Sequence, residues 1–76
     1  MNPKIELLMN VAHDVATFFG RKSWGFYHGR DYAYAEFNVP YVNDPRALLN
    51  LLQDLQVRFI HDKDNIVIRI YVEFEE

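Results

Sequence analysis

The clearest structural signal in this chain is the stretch IVIRIYVEF, residues 66–74. Branched aliphatic residues occupy every second position from Ile66 to Val72, and Arg69 and Tyr71 stand between them. Strict alternation of this kind predicts a β-strand with one buried and one exposed face. We therefore expect a strand here, with its isoleucines toward the core, and expect the alternation to continue through Glu75.

This strand is the second arm of a predicted β-hairpin, VRFIHDKDNIVIRIYVEFEE, residues 57–76. Its turn is Asp62–Asn65, a run of polar residues that favour turns. A second hairpin is predicted for SWGFYHGRDYAYAEFNV, residues 23–39, where aromatic-rich alternation flanks a turn around Gly29. The glycine is free to take a positive φ there, and Pro40 ends the strand because it has no N–H to donate.

Each hairpin is preceded by a predicted helix. NPKIELLMNVAHDVATFFG, residues 2–20, has a capping residue and a proline at its start and Gly20 as its stop. NDPRALLNLLQDL, residues 43–55, begins with the same device. The two predicted core stripes are Ile5, Leu8, Met9, Ala12, Val15, Ala16 and Phe19 in the first helix, and Leu48, Leu51, Leu52 and Leu55 in the second. Three more apolar residues widen the first helix's apolar face beyond what a small sheet covers: Leu7, Val11 and Phe18.

The order of these elements predicts the fold class. Helix, hairpin, helix, hairpin (αββαββ) indicates an α+β protein, a two-layer sandwich with both helices on one face of a four-stranded sheet. Residues 1–76 are expected to form a single compact domain, because the chain is short and contains no linker. The strand order stays open at this point.

Composition narrows the classes of function. The chain has no cysteine, so it has no disulfide framework and no thiolate metal site. Its formal net charge is −3. A small domain without disulfides or metal sites is often stabilised by association with another chain, which favours a homodimer or a protein partner. A strongly basic footprint is missing, so nucleic acid is the less favoured partner. No apolar run approaches the ~18 residues of a membrane span and no secretion signal is visible, so we expect a cytoplasmic protein without membrane contact.

Strand parity assigns the two faces of the first hairpin. In DYAYAEFNV, residues 31–39, Glu36 and Asn38 would be costly to bury without partners, so they mark the exposed side. Ala33 and Ala35 then point inward and let a helix pack close to the sheet. A one-residue bulge near the turn would invert this assignment.

The same parity, applied to the second hairpin, completes the open face. It directs Val57 and Phe59 inward and their neighbours outward. The predicted open face, called the tyrosine face from here on, consists of Tyr27, Tyr32, Tyr34, Glu36, Arg58, Ile60, Val67, Arg69, Tyr71 and Glu73. All of these except Val67 and Glu73 are candidate partner-binding residues.

Tyrosine and arginine are the residues that most often dominate protein interfaces. The leading hypothesis is therefore a small non-enzymatic interaction module, such as an inhibitor, an antitoxin-like or immunity-like protein, or a phage-encoded modulator. It would bind another protein or itself through the tyrosine face. Three alternatives remain. The first is single-stranded nucleic-acid binding by the same face. The second is an enzyme with a site near His28 and His61. The third is ordinary decoration of an antiparallel sheet, which commonly shows tyrosine to water.

No residue pattern predicts catalysis, a metal site or a cofactor. Ser23 is the only serine, and no histidine and aspartate pair stands near it in the sequence. The turn DKDN, residues 62–65, lacks the glycine and the distant glutamate of a calcium loop. His28 and His61 each flank a turn, and they would meet beside Asp62 only if both turns lay at one end of the sheet.

Overall fold

The computed structural model describes residues 2–74 and confirms the α+β class with the order αββαββ. The elements are α1 (Pro3–Phe18), β1 (Gly25–His28), β2 (Tyr32–Val39), α2 (Pro45–Leu51), β3 (Gln56–Asp62) and β4 (Asn65–Glu73). The sequence predicts that the last strand continues through Glu75, but the strand ends at Glu73, so Phe74 is not part of it; Glu75 lies outside the described residues. Within residues 2–74, neither helix has the length and apolar character that a membrane span requires.

The four strands form one antiparallel sheet in the order β1-β2-β4-β3. The central pair, β2 and β4, is in register from Tyr32 opposite Glu73 to Val39 opposite Ile66. Each hairpin turn precedes one of these two strands. Since the central strands run antiparallel, the two turns lie at opposite ends of the sheet.

Helix α1 begins and ends as its sequence predicts. The Asn2 side chain accepts a hydrogen bond from the Lys4 backbone N–H at 2.8 Å, and Gly20 has a φ of 77° with its N–H donating to the Thr17 carbonyl at 3.0 Å. The prediction that Val11 belongs to a surplus apolar face is wrong, because its side chain is fully buried. Helix α1 packs against α2 as well as against the sheet, so it buries a wider arc than a sheet alone would cover.

The core lies between α1 and the two central strands. Ala33 and Ala35 are fully buried there, beside Phe37, Ile68 and Ile70. The Cα atoms of α1 come within 8 Å of those of β2 and β4. The prediction that the alanines allow close packing of a helix on the sheet is confirmed. Leu48 and Leu52 from the α2 segment join the same core, which puts both helices on one face.

Helix α2 is shorter than predicted. It ends at Leu51, not at Leu55, because Gln53 and Asp54 adopt positive φ values of 51° and 65°. These two left-handed residues turn the chain back toward the sheet. Asp54 accepts that conformation at a lower cost than most residues, whereas Gln53 does not share this advantage. The Leu55 N–H then donates to the Leu52 carbonyl at 3.0 Å, and β3 begins at the next residue.

Gly29 does not have the positive φ that its turn position suggests; among the described glycines only Gly20 has one. The N–H of Gly29 donates to the Tyr32 carbonyl at 2.9 Å and closes the first hairpin. A Cβ atom added at this glycine would lie 2.8 Å from a ring carbon of Tyr27. A side chain at this position would therefore displace the Tyr27 ring from its present place.

Candidate functional site

The structure places all ten residues of the tyrosine face on the sheet surface that points away from the helices. Hydrogen-bonded register puts them in rows across the strands: Tyr27, Tyr34, Tyr71 and Gln56; then Gly25, Glu36, Arg69 and Arg58; then Asn38, Val67 and Ile60; with Tyr32 opposite Glu73 at one end. The register of β1 against β2 is continuous, so no bulge inverts the first hairpin. Gln56 and Asn38, which follow from the same parity, complete the surface.

Four tyrosine rings from three strands form one cluster with Tyr34 at its centre. The Tyr34 ring lies 5.1 Å from the Tyr27 ring and 6.2 Å from the Tyr32 ring, nearly parallel to both. The Tyr71 ring lies 5.1 Å from Tyr34 on the other side, at an interplanar angle of 48°. Aromatic pairs in such offset arrangements stabilise one another beyond their buried area. The cluster is therefore held in place before any partner arrives.

An ion pair borders this cluster. The Nε of Arg69 donates to Oε1 of Glu36 at 2.7 Å, and the guanidinium carbon lies 5.1 Å from the centroid of the Tyr34 ring. Hydrogen bonds to Glu36 and then to Tyr71 raise the pKa of Arg69 above its ordinary value, so the guanidinium stays charged. The side chains of the pair are about one-third exposed, 34 % and 38 %, so solvent screens much of their attraction. The main effect of this ion pair is to hold the Arg69 guanidinium over the Tyr34 ring, and its contribution to the stability of the fold is small.

Charge on the tyrosine face is balanced. Arg58 lies opposite Arg69 in the register of β3 and β4, and it forms no ion pair within residues 2–74. Glu36 and Glu73 offset these two cations. The face as a whole thus presents aromatic surface with no excess of either sign.

The face also contains a shallow groove of about 720 Å³ beside Tyr32 and Tyr71. It opens where the sheet loses a strand, because β3 begins opposite Tyr71 and leaves Glu73 without a neighbour on that side. Tyr32, which lines the groove, is 40 % exposed. A groove of this size is large enough to accept side chains of a partner.

Two exposed aromatic residues lie on the opposite, helix-covered side of the sheet. Phe59 points to the helix side as predicted, but it is 48 % exposed, and Phe26 is 42 % exposed at the other edge. Among residues 2–74, no Cα atom of either helix lies within 8 Å of a Cα atom of β3 or β1. Strand parity alone could not reveal these exposed rings, since their exposure depends on which strands become edges.

The two histidines that flank the turns lie far apart. His28 lies in the row of Val72, and His61 lies opposite Ile66, six residues away along β4 and on the other edge. Six residues of strand span about 20 Å. They therefore form no joint site, and no group of three or more potential metal-ligating side chains is found within residues 2–74.

No protein family, curated protein or solved structure matches this chain. The geometry of the tyrosine face therefore carries the functional argument by itself.

Proposed function

We propose that this chain is a non-enzymatic protein-interaction module that binds a partner protein through the tyrosine face. The observation that carries the proposal is the cluster of four tyrosine rings in mutual contact on the side of the sheet that no helix covers. Tyrosine rings supply large contact area with few rotatable bonds, and their hydroxyl groups tolerate both water and a partner.

Preorganisation supports the proposal. Binding costs conformational entropy for every side chain that it immobilises, on the order of 1 kcal/mol for a flexible one. Tyr34 and Tyr71 are already half-buried against their neighbours, and Arg69 is already fixed by Glu36. Little of that cost remains to be met when a partner binds.

The size of the face indicates the kind of interaction. The strands have 4, 8, 7 and 9 residues. At a spacing of about 4.8 Å and a rise of about 3.3 Å per residue they present on the order of 450 Å². A standard interface takes about 800 Å² from each partner. The face by itself therefore suits a compact or transient contact, as a phage-encoded modulator would make. A tight complex of an inhibitor, an antitoxin-like or an immunity-like protein would need further surface beside the face.

The arrangement of the rings favours a protein over a single-stranded nucleic acid. Base stacking requires a free ring face and nearby unpaired cations. Here Tyr34 has neighbouring rings on both sides, and Arg69 is bound to Glu36. Arg58 is then the one unpaired cation of the face within residues 2–74, which is few for gripping a phosphate backbone. Nucleic-acid binding is the alternative that the oligonucleotide experiment below would reveal.

The test compares three forms of the chain as bait in cell extracts, with retained proteins quantified by mass spectrometry. They are the wild type, Tyr34→Ala/Tyr71→Ala, and a matched control, Asn10→Ala/Asp14→Ala, on the exposed side of α1. We expect at least one protein that the wild type and the control retain in equal amounts. The tyrosine variant should retain at least about tenfold less of it, because two central ring contacts are lost. Circular dichroism verifies that all three forms are folded.

Two results would contradict the proposal. One is an identical set of retained proteins for all three forms. The other is binding of a labelled single-stranded oligonucleotide that falls steeply with salt and is lost in Tyr34→Ala/Tyr71→Ala, since that result assigns the face to nucleic acid.

A further inference from the structure

We propose that the free edge of β3 pairs antiparallel with β3 of a second copy of this chain and forms a symmetric dimer with a continuous eight-stranded sheet. This inference concerns the edge of the sheet. Two of its contacts use residues of the tyrosine face, Arg58 and Ile60, but the inference does not depend on the function proposed for that face.

The first observation is that β3 is a long, regular edge whose protecting features are its two charged side chains, Arg58 and Asp62. It pairs with β4 over seven residues, Gln56–Asp62, without a bulge and without a proline. Natural sheets usually protect an exposed edge with prolines, bulges, inward-pointing charges or short strands. The other edge strand, β1, has only four residues and is protected by its shortness.

The hairpin turn determines which backbone groups of β3 face outward. Only two residues separate Asp62 from its partner Asn65, so this pair must exchange both of its backbone hydrogen bonds. Hydrogen-bonded and non-hydrogen-bonded pairs alternate along an antiparallel ladder. The N–H and C=O groups of Val57, Phe59 and His61 therefore point away from β4 and are available to another strand.

The second observation is the exposed ring of Phe59. Its side chain projects to the helix side of the sheet, where no helix covers β3, and it is 48 % exposed. A strand added at this edge would lie alongside the ring and cover one side of it. Added strands commonly combine backbone hydrogen bonds with side-chain contacts of this kind.

Charge complementarity selects one self-pairing register. With Ile60 on the two-fold axis, Ile60 faces Ile60 of the second copy. Arg58 then faces Asp62 of the second copy, and Phe59 faces His61 of the second copy. Opposite charges directly across from one another stabilise antiparallel strands. The two ion pairs and the aliphatic contact all lie on the side of the tyrosine face.

The neighbouring registers lack this complementarity. A shift that brings Phe59 opposite Phe59 of the second copy leaves Arg58 opposite Ile60 of the second copy, with no charge paired. A shift by one further step brings Arg58 opposite Arg58 of the second copy, which is repulsive. The remaining registers would place a residue whose backbone N–H and C=O groups point away from β4 opposite a residue whose groups point toward its own β4. They are excluded because such a pair cannot form the backbone hydrogen bonds of an antiparallel ladder.

Cysteine cross-linking tests the register directly, because the chain contains no cysteine of its own. Opposed residues in antiparallel strands have Cα atoms about 4.5–5.5 Å apart, within the range that a disulfide spans. We compare Ile60→Cys with the matched variants Phe59→Cys and Arg58→Cys under mild oxidation, and measure the wild type by sedimentation equilibrium. The expected result is a wild-type dimer and cross-linking of Ile60→Cys at least about tenfold faster than either control.

A charge exchange provides the second test. Arg58→Asp faces Asp62 of the second copy and should weaken the dimer about tenfold, since two attractive contacts per dimer become repulsive. Within one chain the new carboxylate lies opposite Arg69, so the fold is not expected to suffer. The double variant Arg58→Asp/Asp62→Arg restores the ion pairs and should restore the dimer.

The proposal is overturned by any of four outcomes. The first is a wild-type chain that stays monomeric up to about millimolar concentration, and the second is cross-linking that is fastest at position 58 or 59. The third is a double variant Arg58→Asp/Asp62→Arg that does not restore association. The fourth is a dimer that dissociates in Tyr34→Ala/Tyr71→Ala. The last outcome would assign self-association to the tyrosine face.

Discussion

Tyr27 keeps its place in the ring cluster because its neighbour in the turn has no side chain. Gly29 lies directly beside this ring, with an added Cβ predicted at 2.8 Å from one ring carbon and 2.9 Å from the hydroxyl oxygen. The backbone of this glycine does not need a positive φ, so the constraint is one of space. A single atom at this position therefore competes with the stacking of Tyr27 on Tyr34.

Gly29→Ala is expected to displace the Tyr27 ring while leaving the fold intact. The free energy of unfolding should change by less than about 1 kcal/mol, because a gain of about 0.4–1 kcal/mol from a less flexible unfolded chain offsets the lost ring contact. Proton NMR should show altered ring shifts for Tyr27 and Tyr34. Gly25→Ala is the matched control, since nothing lies within 4 Å of its added Cβ. Equal ring shifts in the two variants would show that Gly29 does not position Tyr27.

At this scale the sequence predicts which residues share a face, and it does so because side-chain direction alternates locally along a strand. Glu36 and Asn38 identify the exposed side of β2 from their chemistry alone. The packing of Tyr27 over Gly29 depends on ring orientation across three strands, which alternation does not encode.

At the scale of elements, the close approach of α1 to the central strands leaves the tyrosine face as the uncovered side. Ala33 and Ala35 are fully buried under the helix, and Ala12 of the helix is fully buried against them in the same core. Small residues on both layers allow this approach. A larger side chain in the sheet would force the layers apart or adopt a strained rotamer.

Ala35→Leu is expected to lower the free energy of unfolding by about 1–3 kcal/mol through overpacking, as measured by urea denaturation. The control is Val67→Leu, a half-buried residue on the tyrosine face, which should stay within about 0.5 kcal/mol of the wild type. Unchanged stability of Ala35→Leu would mean that α1 has room to move away from the sheet.

The elements themselves are well predicted where the sequence carries local signals. The capping residue and proline before each helix, the stop at Gly20 and the polar turn at Asp62–Asn65 all appear in the structure. The end of α2 does not follow from such signals. Leucines continue at helical spacing to Leu55, but the helix ends after Leu51, and left-handed conformations at Gln53 and Asp54 turn the chain before β3 begins.

At the scale of the whole molecule, strand order decides what the surface can do. The order β1-β2-β4-β3 brings Tyr34 and Tyr71 onto adjacent central strands and places Arg58 at one edge. The same order separates His28 from His61. The sequence predicts two layers and four strands, yet it contains no local signal for which strands are central, because both hairpins alternate in the same way.

The two proposed surfaces are geometrically compatible. An antiparallel pairing of two β3 edges keeps both tyrosine faces on the same side of the extended sheet. The combined face would present on the order of 900 Å², more than the ~800 Å² that a standard interface takes from one partner. A dimer would thus enlarge the binding surface without covering it.

The most direct test of the tyrosine face is hydroxyl-radical footprinting of the wild-type chain, alone and bound to the protein that it retains from extract. Tyr27 and Tyr32 report on the face, and Tyr41, which is 61 % exposed and belongs to no strand, is the internal reference. The account predicts that oxidation of Tyr27 and Tyr32 falls several-fold in the complex while that of Tyr41 is unchanged. Unchanged oxidation of both face residues in a complex that protects the helices or Tyr41 would contradict it.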